Sequence, residues 1–323
     1  MLKYIFKRIL MMIPVLLGVL FLVFTMNEIS PGDPAAMIAG DAASVEVVEQ
    51  IREDLGLNKP LPVRFFNYTK NLVLHGDLGT SYKTKRPVLD EVMDRLPTTI
   101  LLSLTSAAFA VFLSIPIGII SAIKQNTWSD NLLMVLALIG VAMPAFWQGL
   151  MTIILFSVKL GWFPSYGFTT PAHWFMPVLT IGTGAMASLV RITRSSMLEV
   201  IRQDYIRTAR AKGQTERKVI ISHALRNSMI PIITAIAIQL GSMLGGAIVT
   251  ETVFAIPGIG MLMIQSIKAR DYPTIQGAVV VIAVMFSLLN LVVDIIYTFV
   301  DPRLKSIYQT KRKAKHFIAK SET

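Results

Sequence analysis

The sequence predicts an all-α integral membrane protein: six transmembrane helices, with a small external appendage between the first and the second. Three observations predict it. Hydrophobic residues make up 53% of the 323 and charged residues only 16%, where soluble chains carry about 25% charged, and the mean hydropathy is +0.59. Six apolar runs have the length, about 17–25 residues, needed to cross ~30 Å of hydrocarbon. The Lys and Arg residues, part of a net charge of +11, gather in alternate connections between those runs.

The first run is Ile9–Met26, behind Lys3, Lys7 and Arg8. It is longer than the about 7–15 apolar residues of a signal peptide, and no A-x-A site closely follows, so it reads as a span. Residues 28–97 then form the external appendage. Within it, VEVVEQIREDLGL (Val45–Leu57) has helical spacing, with Ser44 as N-cap and Gly56 near its end. PGDP at 31–34 and HGDLG at 75–79 are turn chemistry. His75 and Asp77 in the latter are two potential metal ligands, too few for a site.

The remaining runs, Thr98–Ile123, Leu132–Val158, Trp174–Val190, Ile230–Phe254 and Gly277–Val300, form a five-helix core over 98–300. Pro14, Pro116, Pro144 and Gly241 inside these runs are compatible with membrane helices, whose neighbours satisfy freed backbone groups. The segment 191–230 carries nine basic residues against Glu199, Asp204 and Glu216, and the tail 301–323 is basic as well. By the positive-inside rule these segments, the N-terminus and the loop 124–131 are cytoplasmic, so both termini lie inside. The external connections are then Asn27–Pro97, Lys159–His173 and Ala255–Gln276.

Several function classes are excluded or disfavoured. With no cysteine there is no thiolate metal site, cysteine nucleophile or disulfide framework. The chain has no G-x-x-x-x-G-K-[ST] phosphate loop, no H-E-x-x-H and no G-x-S-x-G. A proton-coupled carrier needs an ionisable relay inside its spans. Asp294 is the one acidic residue well inside a run, and His75, His173, His223 and His316 all fall outside mid-span.

The stretch 191–230 is the most informative. It reads as a helix running on from the fourth span to Lys212, a stop at Gly213, where glycine accepts left-handed angles, and a second helix capped by Thr215. Three uses are open to it: resting on anionic lipid head groups, binding nucleic acid, or docking a cytoplasmic partner. The absence of interleaved aromatics and the tether at both ends speak against nucleic acid. The helix-stop-helix organisation, in a chain without an energy source of its own, favours docking.

Polar residues inside spans are candidates for a pathway. These are Trp147 and Gln148 beside Pro144, Gln239 and Ser242 in the fifth span with Glu251 at its outer end, and Asn290 and Asp294 in the sixth. Asp294 can equally make a helix contact near the cytoplasmic boundary. Gly241 and Gly245 form GxxxG, most simply a close helix crossing.

DYIRTARAKG (204–213) followed by HALRN (223–227) and Pro231 resembles the cytoplasmic signature of permease subunits of ATP-binding-cassette importers, in the form taken by the dipeptide/oligopeptide/nickel branch. Gly213 and Ala209 match the general signature, as does Leu225. Arg207, Thr208, His223 and Arg226 depart from it in the way of that branch. PGDP, HGDLG, RITRSSMLEV (191–200), ETVFAIPGIG (251–260), RDYP (270–273) and NLVVDIIY (290–297) extend the resemblance over nearly all of residues 1–305.

The resemblance implies the type I importer permease fold and a chain without catalysis, in a bacterial or archaeal inner membrane. It implies a coupling helix seated on a cytoplasmic ATPase, with Asp204, Tyr205, Arg207, Thr208, Ala209, Arg210, Lys212 and Gly213 at the contact. His223, Arg226 and Asn227 would hold the second helix at the membrane boundary. The implied partners are a second, homologous permease in a heterodimer, two ATP-binding subunits and an external solute-binding protein. No cofactor is expected on this chain; ATP and Mg belong to the ATPases. Peptides, glutathione, nickel and metal chelates are the cargoes such a branch carries, and a stand-alone secondary transporter is the alternative of another class.

Overall fold

The computed structural model describes residues 2–29, 32–40 and 43–300; the basic tail 301–323 and Pro31 of the PGDP turn lie outside the described residues. The elements in order are α1 (Leu2–Ile29), α2 (Pro34–Ala39), α3 (Val45–Asp54), α4 (Leu61–His75), α5 (Val88–Ile123), α6 (Trp128–Ala142) and α7 (Ala145–Thr152). Then follow α8 (Pro171–Ile201), α9 (Asp204–Ala211), α10 (Glu216–Lys218), α11 (Arg226–Val253), α12 (Ile259–Ala269) and α13 (Tyr272–Val300). Two π-helical stretches, Ile153–Lys159 and Val219–Leu225, continue α7 and lead into α11. Among the described residues the structure is helical throughout, with a single isolated bridge between Thr80 and Pro87.

Among the described residues five helical stretches are long and apolar enough to cross a membrane, and a sixth exists if the bent pair Trp128–Ala142 and Ala145–Lys159 counts as one. That pair departs from the continuous helix expected over Leu132–Val158: its arms turn through 107°. Met143 is extended, φ −76° and ψ 125°, because a residue before proline is pushed out of the α region. Pro14, Pro177 and Pro231 are accommodated inside continuous helices. At Pro144 the flanking Gly140 and Gly149, each about 1 kcal/mol worse than alanine in a helix, leave less helix to hold the ladder together.

The chain forms two compact units. Of the described residues, one comprises those up to Ser103, Ala145–Pro177 and Leu244–Ser287; the other comprises Leu104–Pro144, Val178–Met243 and 288–300.

In the first unit the appendage is the helical hairpin set α2–α4. Phe65 of α4 packs edge-on against Phe21 and Phe24 of α1, with centroids 5.3 and 5.7 Å apart. Arg64 donates to both carboxylate oxygens of Glu28 at 2.8 and 2.7 Å. Leu78, Val88, Val92, Ile259, Leu262, Ala278 and Val281 form the buried core. Asp271, 3% exposed, accepts from Ser81 Oγ at 2.5 Å, Tyr82 N–H at 2.9 Å and Thr274 Oγ1 at 2.8 Å. One acid thereby fastens the 80–82 turn to the start of α13.

In the second unit α6 meets α8 at Gly140, where a Cβ would stand 3.2 Å from that of Ala187. Gly118 of α5 sits under Thr193 in the same way. Its core is Ala122, Met197, Ile206, Ala209, Val219, Ile220 and Ala224.

Candidate coupling site

The site grows from the alternation of α9. Ile206 and Ala209, three residues apart, lie on one helix face and are 0% and 8% exposed. They pack on Met197 of α8, Ala122 of α5 and Val219, Ile220 and Ala224 of the following turn. The opposite face carries Asp204, Tyr205, Arg207 and Thr208, all exposed. The Arg207–Asp204 pair, 3.7 Å apart with side chains 75% and 96% exposed, holds little energy in water.

The helix expected to run unbroken to Lys212 stops instead at Ile201, and Gln203, extended at ψ 149°, opens α9. Burial supplies the reason. Met197 and Ile206 are nine residues apart, so a continuous helix at about 100° per residue would point them in opposite directions. The break turns α9 so that both enter one core, where each is 0% exposed.

The predicted stop is where the sequence places it. Gly213 has φ +74°; its N–H donates to Arg210 O at 2.9 Å and that of Gln214 to Ala209 O at 3.4 Å. This is the Schellman pairing, which closes a helix end with a left-handed residue. Arg210 bridges the turn to Glu216 through Nε at 2.6 Å and Nη2 at 3.3 Å. Beyond it, Thr215 takes the N-cap position without a side-chain cap bond. His223 Nε2 meets Gln214 Oε1 at 2.9 Å, and Asn227 Nδ2 donates to His223 O at 2.7 Å. Asn227 also bonds Tyr205, whose phenol lies above its ordinary value because partial burial outweighs that bond. Arg226 and Lys212 are both exposed, the latter at the turn's edge. The structure thus gathers the eleven predicted coupling residues into one helix-turn-helix, one face built into the unit's core and the other open.

A support missed by sequence reasoning lies beneath it. Asp130, 1% exposed, accepts from Arg194 Nε at 2.7 Å and Nη2 at 2.6 Å, from Asn126 N–H at 2.9 Å, and from Ser121 Oγ. Counted singly, Asp130 is one loop acid and Arg194 one more basic residue of 191–230. Nothing in their separation of 64 residues announces the pair.

The seven pathway candidates fall in both units. In the first, Gln148 is 8% exposed and Trp147 43%. Glu251 is 0% exposed and closed in a network: Thr99 Oγ1 donates to Oε1 at 2.6 Å, and the N–H groups of Gly260 and Met261 donate to Oε2 at 2.7 and 3.2 Å. Its role here is to clamp the 254–258 loop; it does not face an open surface. In the second unit Ser242 and Asn290 are exposed, and Gln239 and Asp294 half-buried. Ser242 Oγ returns to Ile238 O at 3.4 Å. At Gly245, one of the two glycines of the expected crossing, a Cβ would meet nothing within 4 Å among the described residues.

The comparisons with known proteins bear on all of this. Residues 114–306 match the family model of the binding-protein-dependent transport system inner membrane component, and residues 1–105 that of the same systems' N-terminal membrane component. The chain belongs to this transport family. It is a permease subunit of an ATP-binding-cassette importer: a transport component, spanning the inner membrane several times, that works with ATPase and substrate-binding partners. Among curated relatives of this importer permease, the glutathione transport system permease protein GsiC of Pectobacterium atrosepticum is 45% identical over 305 residues, covering 94% of this chain and 99% of the relative. The dipeptide transport system permease protein DppB of Alkalihalophilus pseudofirmus is 42% identical, covering 94% and 100%. Among solved structures, inward-facing MetNI methionine ABC transporter chains align with TM-scores of 0.54 and 0.56 at 17% identity, over 66% and 65% of this chain and 97% and 96% of theirs. That likeness shows the type I importer permease fold.

Proposed function

We propose that this chain forms half of the translocation pathway of an ATP-driven importer for short peptides, coupled to a cytoplasmic ATPase through α9 and the Gly213 turn. The peptide class rests on the glutathione and dipeptide relatives, which are alike over nearly their full lengths. The observation that carries the coupling role is the two-faced build of α9. Ile206 and Ala209 bind it to the ends of α5 and α8 and to the π-helical stretch that leads into α11, so a push on its outer face is delivered to the spans as a rigid displacement.

A homologous second permease completes the pathway as a heterodimer, two ATP-binding subunits seat the coupling helices, and an external binding protein delivers the solute. Both termini face the cytoplasm. ATP and Mg act on the partner subunits. Nucleotide binding favours one packing of the spans and hydrolysis returns the other, so the work of this chain is a difference in stability between two arrangements.

The test is Arg207→Glu in the complete complex, reconstituted in vesicles with its binding protein. Arg207 is exposed, so the fold is retained while the outer face changes sign. Uptake of labelled dipeptide is expected to fall at least tenfold while the assembled complex still hydrolyses ATP. Uptake at the wild-type rate would show that α9 is not the coupling contact.

A further inference from the structure

Helix α4 of the appendage is built with three sides. At about 100° per residue, Leu61, Phe65, Tyr68 and Leu72 fall together and are partly buried. Leu72 packs on the core that holds Leu78 and Val88. Arg64, Asn67 and Asn71 form a second, polar side and line a cavity of about 890 Å³ beside α2 and α3. The third side is Pro62, Val63, Phe66, Lys70, Val73 and Leu74, all exposed. Phe66 is 66% exposed. Five of these six residues are apolar, and a stripe of that kind on a helix is turned toward something other than water.

Depth identifies what that something is. Phe65 packs on Phe21 and Phe24 of α1, Tyr68 lies 6.1 Å from Phe24, and Arg64 is paired with Glu28. The apolar run of α1 ends at Met26. At 1.5 Å per residue, Phe24 stands about 3 Å inside that end and Phe21 about 7 Å. Phe65 therefore reaches below the edge of the hydrocarbon, while the Glu28–Arg64 ion pair sits just beyond it.

Phe66 follows Phe65 with Cα atoms about 3.8 Å apart. It stands at the same level, turned about 100° along the helix surface from the contact with α1. A protein docking from the aqueous side would have to enter the leaflet to reach it. Interfacial helices seat their apolar face about 5–10 Å into the boundary between head groups and chains, the depth that the Phe65 contacts give. Lys70, one turn further on, has a stem long enough to lie along apolar surface with its ammonium among phosphates.

We propose that the first turns of α4 form an interfacial foot. Val63 and Phe66 enter the acyl chains of the leaflet beneath the appendage, and Lys70 meets lipid phosphate. The leaflet is the outer one on the orientation proposed above; the contact itself stands on the packing of α4 against α1. The bilayer thereby holds one flank of α4, while the flank of Asn67 and Asn71 stays turned to the cavity.

The experiment places single cysteines at Val63 or Phe66 in the otherwise cysteine-free chain. Each is labelled with bimane in the assembled importer, held in nanodiscs of phosphatidylcholine brominated on its acyl chains. Both labels should lose at least half of their emission relative to nanodiscs of unbrominated lipid. Leu10→Cys and Phe112→Cys, exposed within the spans, serve as quenched references. Val45→Cys, exposed on α3, should lose no more than about a tenth. Added binding protein should leave the quenching at 63 and 66 unchanged. No quenching there beside quenched spans would mean that the face stands in water or under another protein. Quenching relieved by the binding protein would assign the face to that protein, and equal quenching at Val45 would make the label itself the cause. Any of these results overturns the foot. An error of orientation reads differently: it would leave the quenching intact, because both leaflets of the nanodisc carry brominated chains.

Discussion

Asp130 shows how a single residue can hold a working surface without belonging to it. It is buried at the start of α6, and its partner Arg194 is 23% exposed on α8. A buried ion pair is dear to break from one side, because the remaining charge keeps its desolvation cost without its partner, about 3 kcal/mol or more. Removing both charges together is far cheaper. Asp130→Leu and Arg194→Met should therefore each lower the thermal unfolding midpoint of the solubilised complex, and the double variant should lose less than either single change. Additive losses would mean that the two charges do not depend on one another. Because α8 leads into α9, the single variants should also weaken coupling without touching the outer face of α9.

Among the elements, the loop from α11 to α12 illustrates space as the controlling quantity. Gly258 has φ −103°, open to any residue, yet a Cβ there would run into the carboxylate of Glu251, and one at Gly260 into Ile248. Gly258→Ala should displace Glu251 and free the N–H groups of Gly260 and Met261. Hydrogen exchange at those two amides is expected to accelerate at least tenfold; unchanged protection would show that Glu251 does not clamp the loop. The sequence displayed ETVFAIPGIG as a pattern but not this clamp, since the pairing of Glu251 with Thr99 crosses 152 residues. Apolar length made the long helices legible, and Gly213 made the turn legible, because both signals are local. The break at Gln203 and the bend at Met143 are responses to burial and to a proline in a glycine-flanked frame. The first has no local signal at all; the second has one that Pro14, Pro97, Pro116, Pro177 and Pro231 share without breaking their helices.

At the scale of the whole molecule, the bent pair decides the topology. Each arm, Trp128–Ala142 and Ala145–Lys159, has 15 residues, about 22 Å at 1.5 Å per residue, short of the ~30 Å hydrocarbon layer. Together they cross, or they dip in and return. If they return, every later connection changes side. The basic 191–230 segment would then lie outside while Lys3, Lys7 and Arg8 lie inside, against the strong bias of short loops. If they cross, the N-terminus, Lys124, the coupling segment and the tail share the cytoplasmic side. A crossing is therefore the arrangement that the proposed cytoplasmic coupling site requires. The cysteine-free sequence allows a direct check with single cysteines at Trp162 and Tyr166, 65% and 74% exposed, and at Thr208. A membrane-impermeant maleimide added to intact cells stripped of their outer envelope should label the first two and spare the third. Inverted vesicles should reverse the pattern. Labelling of positions 162 and 166 only in inverted vesicles would make the pair re-entrant, and would move the proposed coupling helix to the side of the membrane where no ATPase waits.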